Sequence, residues 1–155
     1  MNTEIEVVLV GDGKVGKTSL VKKCLTDEFE TKYVPTLGVE VYPFNNYNIW
    51  DTAGQDRFGG LRDGYYVDAN IICIVISQYM KNLQRSLDGW YNLIMENTTK
   101  SENCSIVIIL THRDLGYTSK LSYIRNYAVE KNLPLMEISN KSVTANEVRR
   151  FLDSV

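Results

Sequence analysis

The chain has 155 residues, 44% hydrophobic and 23% charged, with a formal net charge of -2. That length closes one hydrophobic core without staples and leaves no room for a second domain, so residues 1–155 are expected to form a single domain. The composition is ordinary for a globular protein, and without a basic stripe there is no electrostatic case for nucleic acid as a partner.

The amino end, "MNTEIEVVLVG", carries acids and passes directly into a strand pattern, unlike a signal or transit peptide. Apolar, β-branched runs recur at "IEVVLV" (5–10), "IICIVI" (71–76) and "SIVIIL" (105–110). Runs without alternation predict strands buried on both faces of a parallel sheet. "GKTSLVKKCLTDEF" brings Leu20, Val21 and Cys24 to one helical face. In "GVEVYPFNNYNIW", Val39 and Val41 alternate with other residues, Pro43 suits an edge, and Asn45-Asn46 supplies a tight turn, which together predict an antiparallel hairpin. Helical spacing then places Leu83, Leu87, Trp90, Leu93 and Ile94 together, and later Leu121, Ile124, Tyr127 and Ala128. A short strand, "PLMEI", and a last helix, "TANEVRRFLDSV", complete the chain. Strands alternating with helices imply βαβ units. The expected fold is α/β: a doubly wound, mostly parallel six-stranded sheet with one antiparallel edge strand and helices on both faces.

Cys24, Cys73 and Cys104 have no metal-ligand spacing, and Cys73 reads as a core residue, which suits a reducing compartment. "RRFLDSV" carries no cysteine for prenylation, so the expectation is an untethered protein of the cytosol or nucleus.

"GDGKVGKT" follows the first strand and opens the first helix, the context in which a glycine, four residues and Gly-Lys-Thr form a phosphate loop. The nucleotide-binding segment runs through Gly11, Asp12, Gly13, Lys14, Val15, Gly16, Lys17, Thr18 and Ser19. Glycines let successive N–H groups face the phosphates, and the helix amino end adds a favourable dipole. Lys17 would neutralise β- and γ-phosphate oxygens and the Thr18 hydroxyl would ligate Mg²⁺. The motif fixes a phosphate site but not the base. "WDTAGQ" (50–55) places Asp51 at a strand end, suited to a Mg²⁺ water, and Gly54 where its N–H can meet a γ-phosphate.

With "TDEFETKYVPTLGVEV" (26–41) and "WDTAGQDRFGGLRDGYY" (50–66), these residues resemble the Ras superfamily of small GTPases with its P-loop fold, and within it the Ran-like GTPases of nucleocytoplasmic transport. The resemblance is dense in the first half of the chain and thin in the second. It implies GTP/GDP and Mg²⁺ as cofactors and slow GTP hydrolysis. Thr36 resembles the threonine that ligates Mg²⁺ and meets the γ-phosphate, Phe29 the aromatic that packs on guanine, and Tyr33 the residue that covers the phosphates. Gln55 would orient the attacking water, so Gln55, Thr36 and Lys17 are the catalytic candidates, with Thr18, Thr36 and Asp51 at the metal. Arg57 and Arg62 read as solvated or receptor-facing rather than as an internal arginine finger. An activating partner would therefore supply on the order of 10³ to 10⁵ in rate. Implied partners are transport receptors or exchange and activating factors, docking through switch I (27–41) and switch II (54–66) of a monomer.

The family reads guanine with Asn-Lys-X-Asp; here the segment is Thr111-His112-Arg113-Asp114. Asp114 can accept from the N1–H and 2-amino groups that adenine lacks. Thr111 offers one short hydroxyl in place of an amide, and a buried group left unmatched costs roughly 1 to 3 kcal/mol, about tenfold to a hundredfold in affinity. His112 replaces a lysine that covers the base; it can stack on the purine or be an ordinary surface histidine. In "EISNKS", Ser139 and Lys141 match the family's Ser-Ala-Lys loop, and Asn140 stands where the backbone N–H meets guanine O6. The expected pocket is weakened, with guanine nucleotide affinity in the micromolar to high-nanomolar range. Against the Ran-like pattern the chain would also lack an acidic carboxyl-terminal tail. Two alternatives stand beside the switch: a hydrolysis-poor Ran mimic that sequesters transport factors, and a Rab-like trafficking GTPase.

Overall fold

A computed structural model describes residues 4–12, 20–21, 32–34, 39–51, 69–98, 104–113, 116, 118–139 and 142–155. Its seven strands are β1 (Ile5–Val10), β2 (Lys32–Val34), β3 (Val39–Phe44), β4 (Tyr47–Asp51), β5 (Ile71–Ser77), β6 (Ser105–Thr111) and β7 (Leu135–Glu137). Three complete helices are described: α1 (Leu83–Thr98), α2 (Ser119–Lys131) and α3 (Ala145–Asp153). The strand order is β2-β3-β4-β1-β5-β6-β7. From β4 across to β7 every pairing is parallel, while β2 with β3 and β3 with β4 are antiparallel.

Six of the strands are those expected from the apolar runs and the hairpin, and the sheet is mostly parallel with its antiparallel part at one edge. The seventh, β2, pairs Lys32 with Val41 and Val34 with Val39, and so lies outside β3. Three residues carry too little periodicity to announce a strand. Pro43 lies beyond the β2 register, paired to Asn48 alone, so its missing N–H interrupts no ladder on that side. Asn45 adopts a positive φ of 54° at the hairpin turn, a conformation asparagine tolerates better than most residues.

The central strands are apolar throughout because helices cover both faces. Val7 and Leu9, Cys73 and Val75, and Val107 and Ile109 share one cluster with Leu20, Val21, and Val148 and Leu152 of α3. Their neighbours Val8 and Val10, Ile72, Ile74 and Ile76, and Ile108 and Leu110 face Leu83, Leu87, Trp90 and Ile94 of α1 and Leu121 and Ile124 of α2. The period of two along each strand thus meets the three-and-four spacing of the helices on either side. Complete burial pushes the Cys73 thiol up to about 12, as befits a packing residue rather than a nucleophile. No helix among the described residues is long and apolar enough to cross a membrane.

Helix ends are set locally. Thr144 accepts from the Glu147 N–H (3.2 Å) and starts α3. Asn132, at φ 54°, closes α2 by donating to the Ala128 and Val129 carbonyls. The Tyr47 hydroxyl donates to Asp153, tying β4 to the end of α3.

Candidate functional site

The carboxyl ends of five parallel strands, β4, β1, β5, β6 and β7, form one edge of the sheet, and in open α/β sheets that edge is where ligands bind. β1 runs out of Val10 into Gly11, whose φ of 151° is a backbone region that side chains disfavour. The next residue turns its carboxylate into the helix layer. Ser86 Oγ donates to Asp12 Oδ2 and Trp90 Nε1–H to Asp12 Oδ1, both at 2.9 Å. Trp90 is fully buried and Ser86 nearly so, hence α1 holds the start of the glycine-rich segment from beneath. Two donors on one carboxylate also absorb negative charge that would otherwise repel a phosphate.

Asp51 ends β4 directly beside β1, in register with Leu9, and is only 4% exposed. A buried carboxylate two residues before Gly11 in register suits a cation held against phosphates. Among the described residues no three His, Cys, Asp or Glu side chains gather as a metal cage. Tyr33 lies on β2 opposite Glu40.

The other half of the edge is built from side chains. Thr111, fully buried at the end of β6, donates its hydroxyl to the Ile76 carbonyl of β5 at 3.1 Å. That hydrogen is then committed to the sheet, and Thr111 Oγ1 can only accept at His112 Nδ1, 3.1 Å away. His112 has φ 60°, an uncommon value for a side chain with a Cβ. Three contacts impose it: Ser77 Oγ on Nδ1, the Tyr79 ring at 4.9 Å in an edge arrangement, and Gln78 Nε2 donating to the His112 carbonyl at 3.3 Å. His112 is therefore a half-buried, fixed ring rather than an ordinary surface histidine.

Backbone bonds carry the β6–β7 pairing past the strand ends. The Ile138 N–H donates to the Leu110 carbonyl (2.8 Å) and the Arg113 N–H to the Ile138 carbonyl (3.0 Å). The described starts of the two segments expected to read a base, Thr111–Arg113 and Ser139, are thereby brought next to each other. The Ser139 carbonyl accepts from the Ser142 and Val143 N–H groups. Beneath them Glu137 takes Arg113 Nε at 3.0 Å and Arg125 Nε at 2.8 Å. The Arg125 hydrogen bonds, more than those of Arg113, hold the Glu137 carboxyl below the usual carboxylate range against a desolvation penalty.

Gly11, Asp12, Asp51, Thr111, His112 and Ser139 are thus all found at this one edge. Gly13, Lys14, Val15, Gly16, Lys17, Thr18, Ser19, Phe29, Thr36, Gly54, Gln55, Asp114, Asn140 and Lys141 lie outside the described residues. Sequence reading missed Ser77, Gln78, Tyr79 and Thr118, which make no motif, and it read Trp90 as packing alone. The one available signal was a polar pair, Ser77-Gln78, that ends the apolar run 71–76.

The fold and this edge define a mononucleotide-binding α/β domain. Residues 6–114 match the family model described as Ras of Complex, Roc, domain of DAPkinase, and the chain belongs to this Roc family. It is a GTPase domain of the Ras superfamily, a GTP-binding switch at the level of that superfamily. The matched stretch begins in β1 and ends at Asp114, so it spans both the phosphate-loop motif and the Thr-His-Arg-Asp segment.

Proposed function

We propose that the protein is a Ran-like switch that binds GTP and GDP with Mg²⁺ and hydrolyses GTP slowly. The observation that carries this reading is the convergence of Gly11, Asp51, Thr111 and Ser139, drawn from four separate stretches of sequence, on one edge of the parallel sheet. Lys17 and the loop N–H groups hold the phosphates, and Thr18, Thr36 and Asp51 hold the metal, directly or through water. Mg²⁺ held by these residues would supply charge stabilisation at the phosphates. Gln55 positions the attacking water, and Asp114 with Ser139, Asn140 and Lys141 reads guanine. Phosphoryl transfer of this kind is positioning and charge stabilisation, and with Arg57 and Arg62 read as solvated or receptor-facing an activating protein sets the useful rate.

The Ran-like words at 26–41 and 50–66 support switch I and switch II as surfaces for transport receptors and regulators, in cytosol or nucleus. Glutamine-to-leucine replacement tests the switch: Q55L is expected to abolish the acceleration of single-turnover hydrolysis by an activating protein while leaving nucleotide bound. An unchanged rate would remove Gln55 from the mechanism.

A second reading is favoured by one observation. Thr111 directs its hydroxyl to the Ile76 carbonyl, inside the sheet, which fits a pocket that holds its base loosely. In that case the protein is a mimic that engages transport factors through its switch surfaces without turnover. The two separate by the same assay: a mimic binds a transport receptor equally well with and without nucleotide and shows no accelerated hydrolysis at all.

A further inference from the structure

The segment after β5 carries a polar side chain where the strand pattern calls for an apolar one. Gln78 is 4% exposed, and a buried amide is tolerated only if its donors and acceptor are matched. All three matches come from one loop. Nε2 donates to the carbonyls of His112 and Gly116, each at 3.3 Å, and Oε1 accepts from the Thr118 hydroxyl at 2.7 Å. A threonine hydroxyl facing the oxygen end leaves the nitrogen end for the two carbonyls, so the network fixes the amide orientation. His112 and Gly116 both take positive φ values, 60° and 84°. A Cβ at Gly116 would have open space around it, so what is special there is the backbone conformation and the carbonyl it presents.

In sequence these three anchors bracket position 114. We infer that Gln78 is a positioning residue for the base-reading segment that begins at Thr111: its buried amide holds His112, Gly116 and Thr118 at once and so sets the frame of that segment. The inference rests on the guanine-binding reading above and adds to it the residue that sets discrimination between purine bases. A carboxylate that accepts two bonds from guanine requires its backbone to be placed to within a fraction of an ångström, and a loose frame lets the second bond lapse first. Inosine diphosphate, which has the N1–H but no 2-amino group, reports that second bond alone.

The test uses the full chain with Gln78→Glu and Thr118→Val, measuring affinities for GDP, IDP and ADP by fluorescence titration and folding by thermal melt. Glutamate keeps the size and the acceptor for Thr118 but turns an oxygen on the two carbonyls. The expected result is a fall of about tenfold in the GDP-to-IDP preference for Q78E and about threefold for T118V, with ADP affinity changed less than twofold in both. Equal losses for all three nucleotides, or a preference that neither variant moves, would overturn the positioning role and leave Gln78 as a packing residue. If Q78E does not melt cooperatively, T118V decides. A wild-type protein that fails to prefer GDP over ADP would instead overturn the guanine-binding reading itself, and this inference with it.

Discussion

The two halves of the ligand edge are built by different means. On the β1–β4 side, glycines at fixed spacing and a strand-end acid follow the superfamily pattern letter by letter, and Asp12 is tied down by Ser86 and Trp90. On the β5–β6–β7 side, Thr111 and His112 depart from the pattern, and Ser77, Gln78, Tyr79 and Thr118 surround them with a local network. Phosphate recognition relies on backbone N–H groups and a helix dipole, which require particular glycines. Base recognition relies on side chains, and a side-chain pocket can be respelled as long as its neighbours supply new partners.

The sharpest way to separate the halves is Lys17→Ala, which removes the proposed charged phosphate ligand and is expected to weaken GDP and ADP alike by about a hundredfold in a titration. A loss confined to GDP would mean that the phosphate half does not act independently of the base. Thr111→Asn restores the family's residue on the other half and is expected to raise GDP affinity about tenfold with ADP unchanged. No gain would show that the Ile76 carbonyl holds the replacement as it holds the threonine.

This contrast also explains what could be read from sequence. The buried strands were legible because covering both sheet faces demands continuous apolar runs such as "IICIVIS", and α1 and α2 because Leu87, Trp90 and Ile94, or Leu121 and Ile124, recur at helical spacing. β2 was not, since three residues are too few to show a period. At the site, the placement of Gly11 and Asp51 was legible because both sit at the ends of strands that the apolar runs announce. Gln78 and Thr118 were not, because they are 40 residues apart and meet only through the β5–β6 pairing.

Smaller effects test the anchors of each half. Trp90→Phe removes one donor to Asp12 and is expected to lower stability by about 1 kcal/mol, about 3 °C in Tm for a chain of this size, and to weaken GDP and ADP to the same small degree. A change in the GDP-to-ADP ratio would contradict its assignment to the phosphate half. Glu137→Gln acts under the base half through pH. Because the folded Glu137 carboxyl lies below its ordinary value, its pairing with Arg125 and Arg113 stabilises the fold above a pH of about 4.3 and is lost as pH falls through the folded value. The stability difference between wild type and E137Q is therefore expected to be flat from neutral pH to about 5 and to shrink below about 4. Its size should be under about 1 kcal/mol, since both arginines are well exposed. A difference that grows on acidification would contradict the assigned pairing.

The most direct measurement is a parallel titration of the purified protein with fluorescent GDP and ADP in the presence of Mg²⁺. The expected result is a GDP dissociation constant in the micromolar to high-nanomolar range and an ADP constant at least about tenfold weaker, which follows from an intact phosphate half joined to a base half that retains Asp114. Equal affinities for the two nucleotides, or binding of neither, would contradict a guanine-specific site on this edge of the sheet.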